Sequence, residues 1–289
     1  MTEKILSIKT ADDFVLDTHI IQSHKEAQGI IIYYHGGGLI SGAPNDLNES
    51  IINLITQDFH VMLAPYRLAP EAAFETIISD TLTVFDEIKN LYPDLPLFTF
   101  GRSSGGYLAI QIANHRNVHG ILDFYGYSRI DIPEFRNTHS IFKTKTAKLT
   151  EPMIQLMLQS SPITAGPTQI RYPLYLYTRG HALWYQYVGI EAYTDHQYNL
   201  SEGELNQLPP IFIAHAEKDI DVPYSEALRL YHSVPNCTLI SIPTDEHDFD
   251  RVATAEVEEI YQKAVLFFKR YAQIKKVGSR QNEPTFFIL

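Results

Sequence analysis

A chain of 289 residues and 33.0 kDa, 45% hydrophobic and 20% charged, holds enough apolar material for one large folded domain and is too apolar for a disordered one. Its net charge of −11 and pI near 5.5 argue against nucleic acid or an anionic membrane as the main partner, since both demand a basic face. The single cysteine, Cys237, excludes an intrachain disulfide, and no apolar run approaches the roughly 18 residues of a membrane span. The opening residues lack the apolar core of a secretion signal, so a soluble cytoplasmic protein is expected.

Lys4 to Lys9 and Phe14 to Ile21 alternate apolar and polar around a turn at Ala11-Asp12-Asp13, the pattern of two antiparallel strands. Ile30 to Tyr34 is nearly continuously apolar, as a strand buried on both faces must be. A helix is expected over Asn45 to Gln57 with Asn45 as its cap, then a strand Phe59 to Ala64 and a helix Phe74 to Leu91. Leu97 to Phe100 reads as strand, Gly106 to His115 as helix and Gly120 to Tyr125 as strand. The alternation then stops from Tyr127 to Leu208 and resumes with strands at Pro210 to Ala214 and Cys237 to Ile242 and a closing helix from Ala253 to Ala272. Such a pattern predicts an α/β fold with a doubly wound, mostly parallel sheet of about eight strands. Residues 1–126 and 209–289 would form its core, and 127–208 an inserted cap over the carboxyl ends of the strands. The insert is rich in aromatics, among them Tyr172, Tyr175, Tyr177, Trp184, Tyr185, Tyr187 and Tyr193. These are expected to line an acyl or alcohol pocket, unless they fill the insert's own core. The apolar end Phe286-Phe287-Ile288-Leu289 either docks on the body or meets a second copy in a homodimer, and the sequence leaves both open.

Gly101-Arg102-Ser103-Ser104-Gly105-Gly106 stands between a predicted strand and a predicted helix. A Gly-x-Ser-x-Gly string in that context is a nucleophile elbow: the turn is so sharp that residues two positions from the serine must be small. Ser103 would then sit at a helix N-terminus, where free N–H groups favour a developing oxyanion. His35-Gly36-Gly37-Gly38 follows the strand that ends at Tyr34, and consecutive glycines let a backbone present its N–H groups closely to a substrate.

The order His35-Gly-Gly-Gly, Tyr66-Arg67-Leu68-Ala69-Pro70-Glu71 and Gly101-x-Ser103-x-Gly-Gly resembles the hormone-sensitive-lipase-like branch of the α/β-hydrolase esterases, over about Gly29 to Phe249. A serine hydroxyl needs a base in reach and an acid orienting that base, and in this fold the chain order is nucleophile, acid, base. The loop His215 to Pro223 resembles the acid loop, with Asp219 favoured over its competitors Asp221 and Glu217. Asp245-Glu246-His247-Asp248-Phe249 is similar to the family's His-Gly-Phe, which makes His247 the base; the rival His215 precedes the acid. The N–H of Ser104 follows as one oxyanion donor, and by similarity Gly37 and Gly38 supply the others, with Gly36 the neighbour one register away. The resemblance implies that His35 braces the loop and that Tyr66, Arg67 and Glu71 form a buried polar brace.

Two departures stand out. The family usually has Asp-Ser-Ala where this chain has Arg102-Ser103-Ser104, and a buried arginine there needs an acidic partner. Only 34 residues precede His35, so a lid must come from the insert rather than from an N-terminal cap. The resulting expectation is a serine carboxylic-ester hydrolase acting on small to medium acyl esters through an acyl-enzyme, with no cofactor and no metal. An exopeptidase or amidase on the same fold, and a non-catalytic ligand-binding protein on a hydrolase scaffold, are the alternatives.

Overall fold

Nine strands form one sheet in the computed structural model, which describes residues 3–190, 196–273 and 285–288. In chain order they are β1 (Glu3–Lys9), β2 (Val15–Ile21), β3 (Ile30–Tyr34), β4 (His60–Ala64), β5 (Leu97–Arg102), β6 (Ile121–Phe124), β7 (Ile211–Ala216), β8 (Cys237–Ile242) and β9 (Thr285–Ile288). Their spatial order is β1-β2-β4-β3-β5-β6-β7-β8-β9, and only β2 runs against the rest. Eight of them are the strands legible in the sequence. The ninth comes from the apolar tail, which docks beside β8 with Thr238 opposite Thr285.

Alternation of side chains across the pleat sorts the core into two layers. Ile30, Ile32, Tyr34, Met62 and Ala64 face α2 (Phe74–Leu91) and α3 (Ser104–His115). Ile31, Tyr33, Val61, Leu63, Phe98 and Phe100 face α1 (Glu49–Ile55) and α10 (Ala255–Gln273). A third cluster lies where α3 meets α9 (Tyr224–Ser233) over β6 to β8. All five side chains of β3 are fully buried, and each contributes about 1.5–3 kcal/mol of transfer free energy. The central strands therefore have one register that satisfies both layers.

Helix α1 begins four residues later than its spacing predicts, and its cap is Asn48, whose carboxamide oxygen accepts the Ser50 N–H at 3.1 Å. Before it the backbone is not helical: Asp46 N–H closes a turn on the Ala43 carbonyl at 3.2 Å, and Asn48 itself is extended. α3 begins at Ser104 rather than Gly106, since Ser103 itself is the residue at the helix entrance.

The chain passes from β3 out to β4 and then back across β3 to β5, so the winding reverses between β3 and β5. Loops that leave neighbouring strands in opposite directions open a crevice at their carboxyl ends. Tyr34 and Gly101 are paired across that crevice. The two glycine-containing turns, His35 to Gly38 and Gly101 to Gly106, are thus brought side by side by topology alone.

Between β6 and β7 the described residues hold no strand; their α-helices are α4 (Ser140–Lys145), α5 (Glu151–Met157), α6 (Thr168–Gly180), α7 (Trp184–Val188) and α8 (Glu202–Leu205), with short 3-10 turns at Pro133–Arg136 and His196–Tyr198. α6 and α7 rest on the loops after β3 and β4. The Arg171 guanidinium donates to the carbonyls of Ile40 (2.8 Å) and Ala69 (2.6 Å), and the Trp184 indole N–H to that of Gly38 (2.8 Å). Among the described residues no helix is long and apolar enough to cross a membrane.

Candidate active site

Ser103 has φ +54° and ψ −122°, a conformation costing a non-glycine residue about 1–3 kcal/mol. The cost is imposed by the crossing of β5 into α3. A Cβ on Gly101 would lie 1.9 Å from the Gly105 carbonyl oxygen, and one on Gly105 would lie 2.0 Å from that of Tyr34. With both positions bare, the turn closes against β3 and lifts the Ser103 hydroxyl from the sheet edge.

His247 Nε2 lies 2.9 Å from Ser103 Oγ, and its Nδ1 lies 2.6 Å from Asp219 Oδ2. The chain contributes these three residues from the ends of β5, β7 and β8. A carboxylate accepts only, so Nδ1 carries the proton toward Asp219 and Nε2 is left to accept from the serine. Asp219 Oδ1 accepts the N–H groups of Asp221 (2.8 Å) and Val222 (3.0 Å), which fixes the plane of the carboxylate. The competitor Asp221 is engaged elsewhere, by the Tyr175 hydroxyl (2.5 Å) and Arg179 (3.2 Å). The rival His215 is fully buried behind the acid, with Nε2 3.1 Å from the Val222 carbonyl and 3.3 Å from Asp219.

Burial alone would push His247 down, but the adjacent Asp219 carboxylate outweighs it and raises the imidazole to about 9. Burial in turn pushes Asp219 up, and the two flanking histidines overcome this and hold it below the usual carboxylate range. A base must be neutral to accept a proton. Turnover that uses His247 should therefore show a kcat/KM that climbs with pH along a limb lying above the ordinary 6.5 and toward about 9, measured on a short ester. The sign for stability is opposite. Because the folded value lies above the unfolded one, the His247–Asp219 contact stabilises fully below pH 6.5, and that contribution is lost as pH rises through about 9.

Gly37 (φ +107°) and Gly38 (φ +62°) turn the loop after β3 back toward the elbow. A Cβ on Gly37 would lie 2.2 Å from the Ser41 carbonyl oxygen, and one on Gly38 2.1 Å from the Tyr175 ring, so both positions are closed to larger residues. Among the described residues the N–H groups of Gly37, Gly38 and Ser104 donate to no other protein group. The Ser104 hydroxyl meanwhile accepts the Leu39 N–H at 3.2 Å, tying the glycine loop to α3. His35 Nδ1 donates to the Gly36 carbonyl at 2.7 Å, while the Tyr66 hydroxyl donates to the His35 carbonyl at 2.8 Å and stacks its ring on the imidazole. Burial lowers the His35 value, so this ring braces as a neutral group. Arg67 bridges Asp80 and Asp12, and Glu71 pairs with Arg171 at 2.8 Å, so all three members of the Tyr66-Arg67-Glu71 brace are internal.

Trp184 does not line an open cleft. It is fully buried, packed edge-on against Phe135 and Tyr185, with its N–H on the Gly38 carbonyl. Tyr175, Tyr177 and Tyr185 are buried too, so these aromatics of the insert are mainly its core; Tyr193 lies outside the described residues. Each amphipathic ring has its polar tip satisfied and its body in apolar surroundings, which spacing alone does not distinguish from a pocket wall. The acid that Arg102 requires is Asp250, 3.4 Å away, with Asp46 at 3.9 Å. Sequence demanded such a partner without indicating which carboxylate it was. Among the described residues no cluster of His, Cys, Asp and Glu could hold a metal ion.

Residues 31–251 match the family model described as alpha/beta hydrolase fold. A Staphylococcus aureus protein of unknown function superposes with a TM-score of 0.91 at 38% identity, covering 94% of this chain and 100% of that one. An alpha/beta hydrolase superfamily protein from Enterococcus faecalis does so with a TM-score of 0.81 at 25% identity, covering 92% and 99%. Versiconal hemiacetal acetate esterase of Emericella nidulans is 32% identical over 88 residues, which span 29% of this chain and 30% of that enzyme. The chain belongs to the alpha/beta hydrolase fold family, in the hormone-sensitive-lipase-like branch to which its three glycine- and proline-bearing motifs point.

Proposed function

We propose that the chain is a serine carboxylic-ester hydrolase acting on small to medium acyl esters. The observation that carries the reading is the unbroken hydrogen-bond line Ser103–His247–Asp219, with its serine at the strained elbow beside the free N–H groups of Gly37, Gly38 and Ser104. Similarity over part of its length to an acetate esterase supports the ester class.

In this mechanism Ser103 Oγ attacks the ester carbonyl carbon while His247 Nε2 takes the hydroxyl proton. Asp219 stabilises the imidazolium that forms, and the carbonyl oxygen, now negative, is met by the three N–H groups. As the tetrahedral species collapses, His247 passes the proton to the departing alkoxide and the acyl group stays on Ser103. Water repeats the sequence: its proton goes to His247, its oxygen to the acyl carbon, and the acid leaves with Oγ reprotonated. Residues 127–208 act as a cap, tied to the loops after β3 and β4 by Arg171 and Trp184.

The test is a panel of p-nitrophenyl esters from acetyl to decanoyl set against aminoacyl arylamides. Turnover confined to the esters and falling with acyl length is the expected result. Preference for the arylamides would favour an exopeptidase, and neither turnover nor fluorophosphonate labelling would mark a binding protein on this scaffold.

A further inference from the structure

Arg102 immediately precedes Ser103, and only 10% of its side chain is exposed. A guanidinium so placed must be paired and fully hydrogen-bonded. Its Nε donates to the Tyr125 hydroxyl at 2.8 Å, its Nη2 lies 3.4 Å from Asp250 Oδ1, and its Nη1 reaches the Tyr33 hydroxyl and the Asp46 carbonyl at 3.4 Å. The Tyr125 hydroxyl passes its own proton on to Asp250 Oδ1 at 2.6 Å, and Tyr261 donates to Oδ2 at 2.5 Å. Since arginine only donates and a carboxylate only accepts, the direction of every bond in this set is fixed.

The two ends of the set belong to the two loops that the proposed chemistry must keep together. Arg102 is bonded to the nucleophile, whereas Asp250 lies three residues beyond His247 in the loop after β8. Between them the Tyr125 ring stands edge-on to the His247 imidazole, with centroids 4.7 Å apart at 61°, and packs on Phe249 at 5.4 Å. Tyr125 has φ +45°, a costly backbone conformation that persists only where the surroundings hold it. A single hydrogen bond to Asp219 leaves the imidazole free to swing about the Nδ1–Oδ2 axis; a ring wedged against one edge removes that freedom.

We propose that Arg102, Tyr125 and Asp250 form a positioning network that holds the His247 imidazole on Ser103, a role that rests on the hydrolase reading above. It accounts for the arginine in place of the family's usual aspartate. The planar fork can bind Tyr125 and Asp250 at once, which a lysine ammonium on a flexible stem would do far less rigidly. None of the three contacts the reacting atoms as a proton donor or acceptor. Their effect reaches Ser103 through His247.

Tyr125→Phe deletes the hydroxyl and keeps the ring, so it is the variant that decides. It should lower kcat on p-nitrophenyl acetate and the rate of fluorophosphonate labelling by the same roughly tenfold, with KM unchanged, because a misplacement of well under an ångström suffices for that loss. Asp250→Asn should lower both in the same way. A double variant should lose no more than the larger single one, since the two act through one path. If Tyr125→Phe lowers the melting temperature but leaves kcat and labelling intact, the network is a structural brace and the proposal is wrong. If Ser103→Ala still turns over the ester and still takes the label, the hydrolase reading itself fails, which is a different result from the first.

Discussion

On the proposed esterase reading, Ser103→Ala should lower ester turnover by roughly 10⁶-fold and abolish fluorophosphonate labelling, while the protein should remain folded. The size follows from how a triad works. Without Oγ there is nothing for His247 to deprotonate, and what remains is binding plus the N–H groups of the glycine loop and elbow, typically worth about 10³–10⁴ over water. Folding is spared because the hydroxyl makes a single internal hydrogen bond, to His247 at 2.9 Å, and alanine keeps the Cβ that the turn already accommodates. The strained backbone gives a second arm. Ser103→Gly should be equally inactive yet more stable, by about 1 kcal/mol, since glycine adopts φ +54° without the steric cost. Thermal melts and probe labelling of the two variants read both effects. Labelling that survives in either would mean another residue is the nucleophile.

The glycine loop and the elbow were legible in the sequence because each is a local device. Bare positions at Gly101 and Gly105 are required by backbone contacts within a few residues or across one strand pair, so the constraint is written where it acts. His247 and Asp219 were legible for another reason: both follow strands whose apolar runs mark their ends, and sites in such sheets gather there. Asp250 was not legible as the partner of Arg102. The two lie 148 positions apart in the chain, and any of its 34 acidic residues satisfied the demand equally. The cap of α1 was misplaced because Asn45 and Asn48 are equally good capping residues in sequence, and only the second is extended and accepts the Ser50 N–H. The tail's pairing as β9 depends on a free sheet edge beside β8, a property of the whole sheet that no stretch of the tail reports.

Trp184 shows how the same residue type can be read two ways. Its spacing among other aromatics suits either a pocket wall or a packed insert, and the buried indole settles it as core. Its N–H on the Gly38 carbonyl nevertheless gives it an indirect bearing on the loop. The Gly38–Leu39 peptide is thereby held at both ends, its carbonyl by Trp184 and its N–H by the Ser104 hydroxyl. The acid loop is tied into the same helical segment through Tyr175 and Arg179, both on α6 and both bonded to Asp221. Shifts of α6 would therefore be felt at both sides of the serine.

Asp219→Asn and Asp221→Asn lie two residues apart in the same loop and should differ sharply in outcome. Asp219 accepts from His247 and from two backbone N–H groups, and its charge supports the imidazolium. An asparagine there supplies no charge and can present its amide to Nδ1, favouring the wrong tautomer, so kcat should fall by roughly 10⁴-fold with KM little changed. Asp221 acts on His247 only through its charge, as a smaller influence than Asp219, and its carboxylate neutralises Arg179, which is 1% exposed and stacked over Phe135 at 3.8 Å. Removing that charge strands a buried guanidinium, and about 3–5 kcal/mol of stability should go with it. The folded fraction of Asp221→Asn should still label with a fluorophosphonate at close to the parental rate, whereas Asp219→Asn, which also loses the stabilising charge on His247, should label very slowly even in its folded fraction. Steady-state kinetics, labelling rates and melting temperatures on the two proteins distinguish these patterns. A reversal, with folded Asp221→Asn labelling very slowly and folded Asp219→Asn labelling at the parental rate, would move the acid two residues along the loop and leave Asp219 as the structural carboxylate.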